Sequence, residues 1–118
     1  VKRLATALHD PQRAAVLAVA IPTELALEET TDLARACSEM SVRLAGCIVN
    51  QCTPDDQGLL ATVHRREQAV LAKFAKALPN LPITPVSRGA SPQSIDDLAA
   101  LGSQLVAKPS RLRLWHAA

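Results

Sequence analysis

Ala14–Ile21 runs for eight residues without a polar side chain. A run this short, built from Val, Leu, Ile and Ala, reads as a strand buried on both faces, the kind a parallel sheet needs. The residues after it narrow the fold further. Ile21-Pro22-Thr23 closes the run, and Glu24–Met40 then takes up helical periodicity. Ala26, Thr30, Leu33, Cys37 and Met40 recur at steps of three and four, while Glu24, Glu28, Asp32, Arg35 and Glu39 fall on the other faces. Thr23 is the candidate N-cap, and the acidic residues suit the positive end of the helix dipole. A strand that passes into a helix through Pro-Thr puts polar groups at the C-terminal edge of a sheet. In open α/β sheets that edge is where ligands bind.

The same alternation continues along the chain. Lys2–His9 has helical spacing, with Leu4, Ala5 and Leu8 on one side, and Asp10-Pro11 ends it because the residue before a proline avoids the α region. Arg43–Asn50 reads as a second strand that ends in Asn50-Gln51. Thr53-Pro54-Asp55-Asp56 predicts a helix start, with Thr53 as N-cap and Pro54 at the first helical position, although Gly58 interrupts the turn. Leu60–Leu78 is a long helix with Val63, Val70, Leu71, Phe74 and Leu78 as its apolar stripe, stopped by Pro79. Leu81–Val86 is a short third strand, and Ser87–Ser91 a polar loop. The last helix starts at Ser91-Pro92 or at Ser94-x-x-Asp97 and runs to about Leu105.

The order α-β-α-β-α-β-α argues for the α/β class: a partial parallel sheet of about three strands with right-handed crossovers and flanking helices. The 118 residues suit one domain or part of one. Residues 1–107 form the α/β portion, and 108–118 a C-terminal tail. Three strands make half of a larger doubly wound fold, so edge strands and a helix face are expected to be exposed if this portion stands alone. The first residue is Val1, so the chain reads as a processed product or a piece of something longer. The expected partner is an N-terminal half of the same protein or a second subunit.

Composition excludes several functions. The net charge is +2 and the basic residues are dispersed, which gives no footprint for nucleic acid or a membrane surface. Phe74 and Trp115 are the only aromatics, so base stacking along a single strand has no platform. Three cysteines without a C-x-x-C imply no disulfide framework, which favours the cytosol. Cys37 and Cys47 read as small core residues, and Cys52, placed in a loop, as the one reactive thiol. There is no signal peptide and no apolar stretch of membrane-spanning length. His9, His64 and His116 lack metal-ligand spacing. The 118 residues contain no G-x-x-x-x-G-K-[ST], no G-x-G-x-x-G and no G-x-S-x-G, so they encode neither standard phosphate cradle and no nucleophile elbow.

Three features converge on one sheet edge: Pro22-Thr23, Asn50-Gln51 and Pro85–Ser91. An Asn side chain pairs a donor with an acceptor and matches the N6/N7 edge of adenine. Taken singly, each feature has a plainer account. Asn50 is a turn former after a strand, Ser87–Ser91 a plain connecting loop, and Glu28-Glu29 a solvated helix face. Sharing one edge puts a binding site and a set of ordinary loops on equal terms.

At these residues the chain resembles the arsenite-pump (ArsA) ATPases and their relatives that target tail-anchored membrane proteins. The resemblance runs from Arg3 to about Ala107. It rests on Asp10-Pro11, Ile21-Pro22-Thr23 with Glu29-Thr30, and Ile48-Val49-Asn50. It continues through Arg65-Arg66 with Gln68, Leu81-Pro82-Ile83, and Ile95 to Leu101-Gly102. Order and spacing together carry it, not any single piece. It implies the C-terminal half of a P-loop NTPase fold of the deviant Walker A type. It also implies that Asn50 and Gln51, with Pro85, Val86, Ser87 and Arg88, lie at the adenine of bound ATP. The phosphate loop and the magnesium-binding acid lie upstream in the family, so the intact protein would use ATP and Mg2+ while this segment alone would not hydrolyse. A homodimer is implied, with a membrane transporter or a client protein as further partner. Some positions depart from the family pattern. Asp32 stands where Arg is common, Gln93-Ser94 where Arg-Gly is common, and neither the zinc-bridging C-x-x-C nor the metalloid-binding cysteines are present. Two alternatives stay open: a non-catalytic dimerisation or partner-binding module, and a partitioning or septum-site ATPase of the ParA and MinD type.

Overall fold

The computed structural model describes residues 1–106; the tail assigned to 108–118 lies outside the described residues. Three strands, β1 (Val16–Ala20), β2 (Leu44–Cys52) and β3 (Ile83–Ser87), form one parallel sheet in the order β1-β2-β3. Four helices accompany them: α1 (Lys2–Leu8), α2 (Glu24–Glu39), α3 (Ala61–Ala77) and α4 (Ile95–Val106). The expected α/β alternation is therefore present, with every element boundary within a few residues of its predicted place.

Register explains the core. Ala18 pairs with Cys47, Cys47 with Ile83, and Ala20 with Val49, so these residues share one face of the sheet. That face is covered by α2 and α3, which pack side by side and contribute Ala26, Val70 and Phe74 to a single apolar cluster. Most of the sheet side chains in this cluster are small, so the helices approach closely and Phe74 fills the space between α3 and the sheet. Thr23 starts α2 as predicted: its backbone is extended, and its Oγ accepts from the Ala26 N–H at 3.1 Å. Lys73 on α3 ties to Glu24 on α2 through an exposed ion pair.

The opposite face is unevenly covered. Thr84 and Val86 are buried where α4 packs on β3, whereas Leu17 and Val19 on β1 are 45% and 65% exposed. Such a bare patch is what a three-stranded portion of a larger sheet leaves open. Two helical stripes are shallower than their periodicity predicts. Leu33 on α2 and Met40 at its C-cap remain exposed, and α1 buries no residue, so its Leu4 and Leu8 face outward. Amphipathic spacing shows which side of a helix is apolar but not whether a second layer covers it. No helix among the described residues is long and apolar enough to cross a membrane.

Candidate functional site

The C-terminal edge of the sheet is shaped by a break in β2. Val49 pairs with Pro85 and Cys52 with Ser87, so three steps along β2 match two along β3 and one residue is extra. A bulge of this kind bends the strand and re-aims its side chains. Gln51 occupies the left-handed region with φ 60, an uncommon conformation for a residue other than glycine. The result interrupts the in–out alternation. Val49 is wholly buried, Asn50 and Gln51 both project outward, and Cys52 and Thr53 return to the interior. Strained backbone of this sort tends to persist where the surrounding structure holds it for a purpose.

Asn50 and Gln51 line a groove of about 750 Å³, a size that suits a small organic ligand. Its second wall is the segment Ser87–Pro92, and its third is the face of α4 carrying Asp97, Ala100, Leu101 and Gln104. The Asn50 side-chain amide makes no hydrogen bond to another described residue, so its paired donor and acceptor are available to the groove. The Arg88 N–H donates to the Cys52 carbonyl at 2.7 Å, which extends the ladder past β3 and holds the loop against β2.

Of the residues expected at the site, Asn50, Gln51, Ser87 and Arg88 meet in this groove. Val86 does not: its side chain is buried under α4 and only its backbone continues toward the groove. Pro85 points to the other side of β3, into a smaller recess of about 190 Å³ bordered by Cys52, Asp55 and His64. Pro22-Thr23 does not join either, because Thr23 is occupied as the cap of α2. The α4 wall was missed in the sequence. Its signal was present, since Asp97, Leu101 and Gln104 recur at helical steps along one face. The start of α4 settles on Ser94, whose Oγ accepts from the Asp97 N–H at 3.1 Å while Asp97 accepts from the Gln93 N–H at 2.9 Å.

Two readings of the loop after β2 are corrected. Thr53 does not cap a helix. Its N–H and its hydroxyl both donate to the buried Glu67 carboxylate, at 2.6 and 3.0 Å, and its carbonyl accepts from His64 Nδ1 at 2.9 Å. The polar groups of Thr53 are thus held by α3, and the helix begins later, at Ala61. Asp56 instead organises the turn: N–H donors at Leu60 and Gly58 hold its carboxyl below the usual range.

Cys52 is not a loop thiol. It is the last residue of β2, 4% exposed, and its Sγ donates to the Val49 carbonyl at 3.3 Å. Burial raises its pKa, opposed by the Val86 N–H and reinforced by the Glu67 charge. Cys47 is pushed up to about 11 by burial alone. A raised pKa leaves little thiolate near neutrality. Iodoacetamide at pH 8 should therefore modify Cys47 and Cys52 only as the chain unfolds. Selective alkylation of Cys52 in the native state, read by mass spectrometry, would restore it as a reactive thiol.

With the groove described, comparison with known proteins supplies a family. Residues 1–86 match the family model for anion-transporting ATPases (ArsA_ATPase). The chain belongs to the anion-transporting ATPase family. No curated protein matches it significantly. The matched stretch ends at Val86, so β1, the bulge of β2 and most of β3 lie inside the ArsA match, while the loop wall and α4 lie beyond it. ArsA-type ATPases work with ATP and Mg2+. The groove sets the amides of Asn50, Gln51 and Gln104 and the charged Arg88 and Asp97 beside the apolar Ala90, Pro92, Ala100 and Leu101. Among the described residues no three of His, Cys, Asp and Glu come together as a candidate metal cluster.

Proposed function

We propose that this chain supplies the adenine side of the nucleotide site in an ArsA-type ATPase. ATP binding and hydrolysis by the whole protein would drive a dimer switch coupled to anion extrusion or to handling of a client protein. The observation that supports this most is the bulge at Asn50-Gln51, which places the Asn50 carboxamide at a groove of ligand size at the C-terminal edge of the sheet. Asn50 would donate from its amide nitrogen and accept with its amide oxygen along the N6/N7 edge of adenine. Phosphate and magnesium contacts would come from residues outside these 118, in keeping with the lack of a phosphate-binding loop among them. On this reading the segment alone binds ATP weakly and does not hydrolyse it. The protein would act in the cytosol.

Base contacts are remote from the γ-phosphate, so they act on ground state and transition state alike. Asn50→Ala in the full-length protein should raise the KM for ATP about tenfold and change kcat less than about twofold. Steady-state ATPase kinetics read both constants, and an unchanged KM would remove Asn50 from the site. A second reading has its own observation. The bare Leu17 and Val19 on β1 suit a module that acts by covering that face with a partner. Absence of any nucleotide binding by the full-length protein would turn the balance to it.

A further inference from the structure

We infer that Gln104 on α4 is a positioning residue for the groove: it fixes the loop Arg88–Pro92 by holding the outward N–H of Ser87. β3 is the last strand of the described sheet. Just past its end the Arg88 N–H turns inward to β2 and donates to the Cys52 carbonyl at 2.7 Å. The alternate N–H, that of Ser87, points away from β2 and has no strand to receive it. Gln104 Oε1 accepts it at 3.0 Å, so a side-chain amide takes the part of the missing neighbour strand.

The bond is placed where it has leverage. Ser87 is the last residue of β3 and the first of the groove wall, and Gln104 borders both the main groove and the smaller recess beside it. Gln104 is half-buried, three turns into α4 from the Ser94 cap. α4 is thus capped at its start, where Ser94 Oγ accepts from the Asp97 N–H and the Asp97 carboxylate accepts from the Gln93 N–H, and tied to β3 near its end by Gln104. The segment Arg88–Pro92 that closes the groove runs from Ser87, held by Gln104, to that cap. Freeing Ser87 would leave the loop tied to the sheet only through Arg88. The expected consequence for ligand binding rests on the adenine reading given above; the consequence for the loop does not.

Two measurements separate these. Amide hydrogen exchange of the full-length protein without nucleotide should show Ser87–Ser91 exchanging about tenfold faster in Gln104→Leu, the ratio expected for losing about one net hydrogen bond. Gln104→Glu keeps an acceptor and should retain the protection. Ala18–Ala20 on β1 should be unaffected in both. Unchanged exchange at Ser87–Ser91 in Gln104→Leu would overturn the inference, and so would a rise spread equally over β1, which marks general destabilisation. The second measurement is titration with a fluorescent ribose-labelled ATP, where Gln104→Leu should weaken binding about tenfold. Nucleotide binding that Asn50→Ala weakens but Gln104→Leu leaves intact would sink the positioning role and spare the adenine reading. If the unsubstituted protein fails to bind the probe, the adenine reading falls, and the exchange result alone decides the role of Gln104.

Discussion

Phe74→Ala should lower the unfolding free energy by about 3–5 kcal/mol, with the result near the top of that range. Phe74 is wholly buried and is the largest side chain in that state. Large-to-small changes lose the transfer free energy of the deleted atoms and add a cavity term that depends on how far the surroundings relax. Relaxation is most limited on the sheet side. There the cluster offers Ala18, Ala20, Cys47 and Cys52, short side chains with no spare length to swing into a hole. The longer Val70, Ile83 and the leucines Leu27, Leu44, Leu71, Leu78 and Leu81 pack elsewhere in the cluster or against it. The strand backbones beneath are fixed by the ladder. Since whole domains are stable by roughly 5–15 kcal/mol, this one change removes a large share. Phe74→Leu keeps most of the volume and should lose less than about half as much. Urea unfolding followed by circular dichroism compares the three proteins. A loss below about 1 kcal/mol for Phe74→Ala would mean that the core is not arranged around this ring.

The contrast between what was legible and what was not reflects the range of the forces involved. Thr23, the apolar run before it and the helix after it declare themselves locally, because capping, strand burial and helical spacing each act within a few residues. The placement of Cys47 and Val49 in the core comes from period two once the strand is recognised. The bulge has no such local source. Nothing in Val49-Asn50-Gln51-Cys52 calls for a left-handed residue at Gln51, and glycine is absent there; the conformation is imposed by what holds Cys52 and Thr53 inside. That holding group, Glu67, is 14 residues away in sequence. No motif or spacing singles out Glu67 in the sequence, and Thr53-Pro54 reads as a good helix start. Only the packing of α3 on the sheet shows that the carboxylate is inside and needs the donors that Thr53 provides. Helical spacing marked the α4 face, but its use was hidden for a related reason: the Gln104 amide has a meaning only beside the outward N–H of Ser87 on β3. Family resemblance pointed to Asn50 as a motif position and to Ser87 and Arg88 as part of the loop after β3, and it did not separate Val86, whose side chain is buried, from the residues that line the groove.

Glu67→Ala should therefore have an effect out of proportion to its place on a polar helix. It deletes the acceptor of two hydrogen bonds and leaves the N–H and hydroxyl of Thr53 buried without partners. Hydrogen bonds to a charged acceptor contribute about 1.5–3 kcal/mol each, and an orphaned buried donor adds its desolvation, so a loss of about 2–4 kcal/mol is expected once partial relaxation is allowed. Glu67→Gln keeps one oxygen acceptor but sets an NH2 group against the other donor, and should fall between Ala and the natural residue. The decisive difference from Phe74→Ala lies in the groove. Thr53 comes directly after the bulge, and its capture by Glu67 draws the chain inward just after Gln51. Releasing it removes the constraint that keeps Gln51 left-handed and Asn50 outward. Phe74→Leu should then lower stability while the folded protein binds nucleotide as before, whereas Glu67→Gln should weaken binding even under conditions where it is fully folded. Measured together by urea unfolding and nucleotide titration, the two variants separate a support of the core from a support of the site. Equal nucleotide affinity in Glu67→Gln and the natural protein would show that the bulge holds its shape without the clamp.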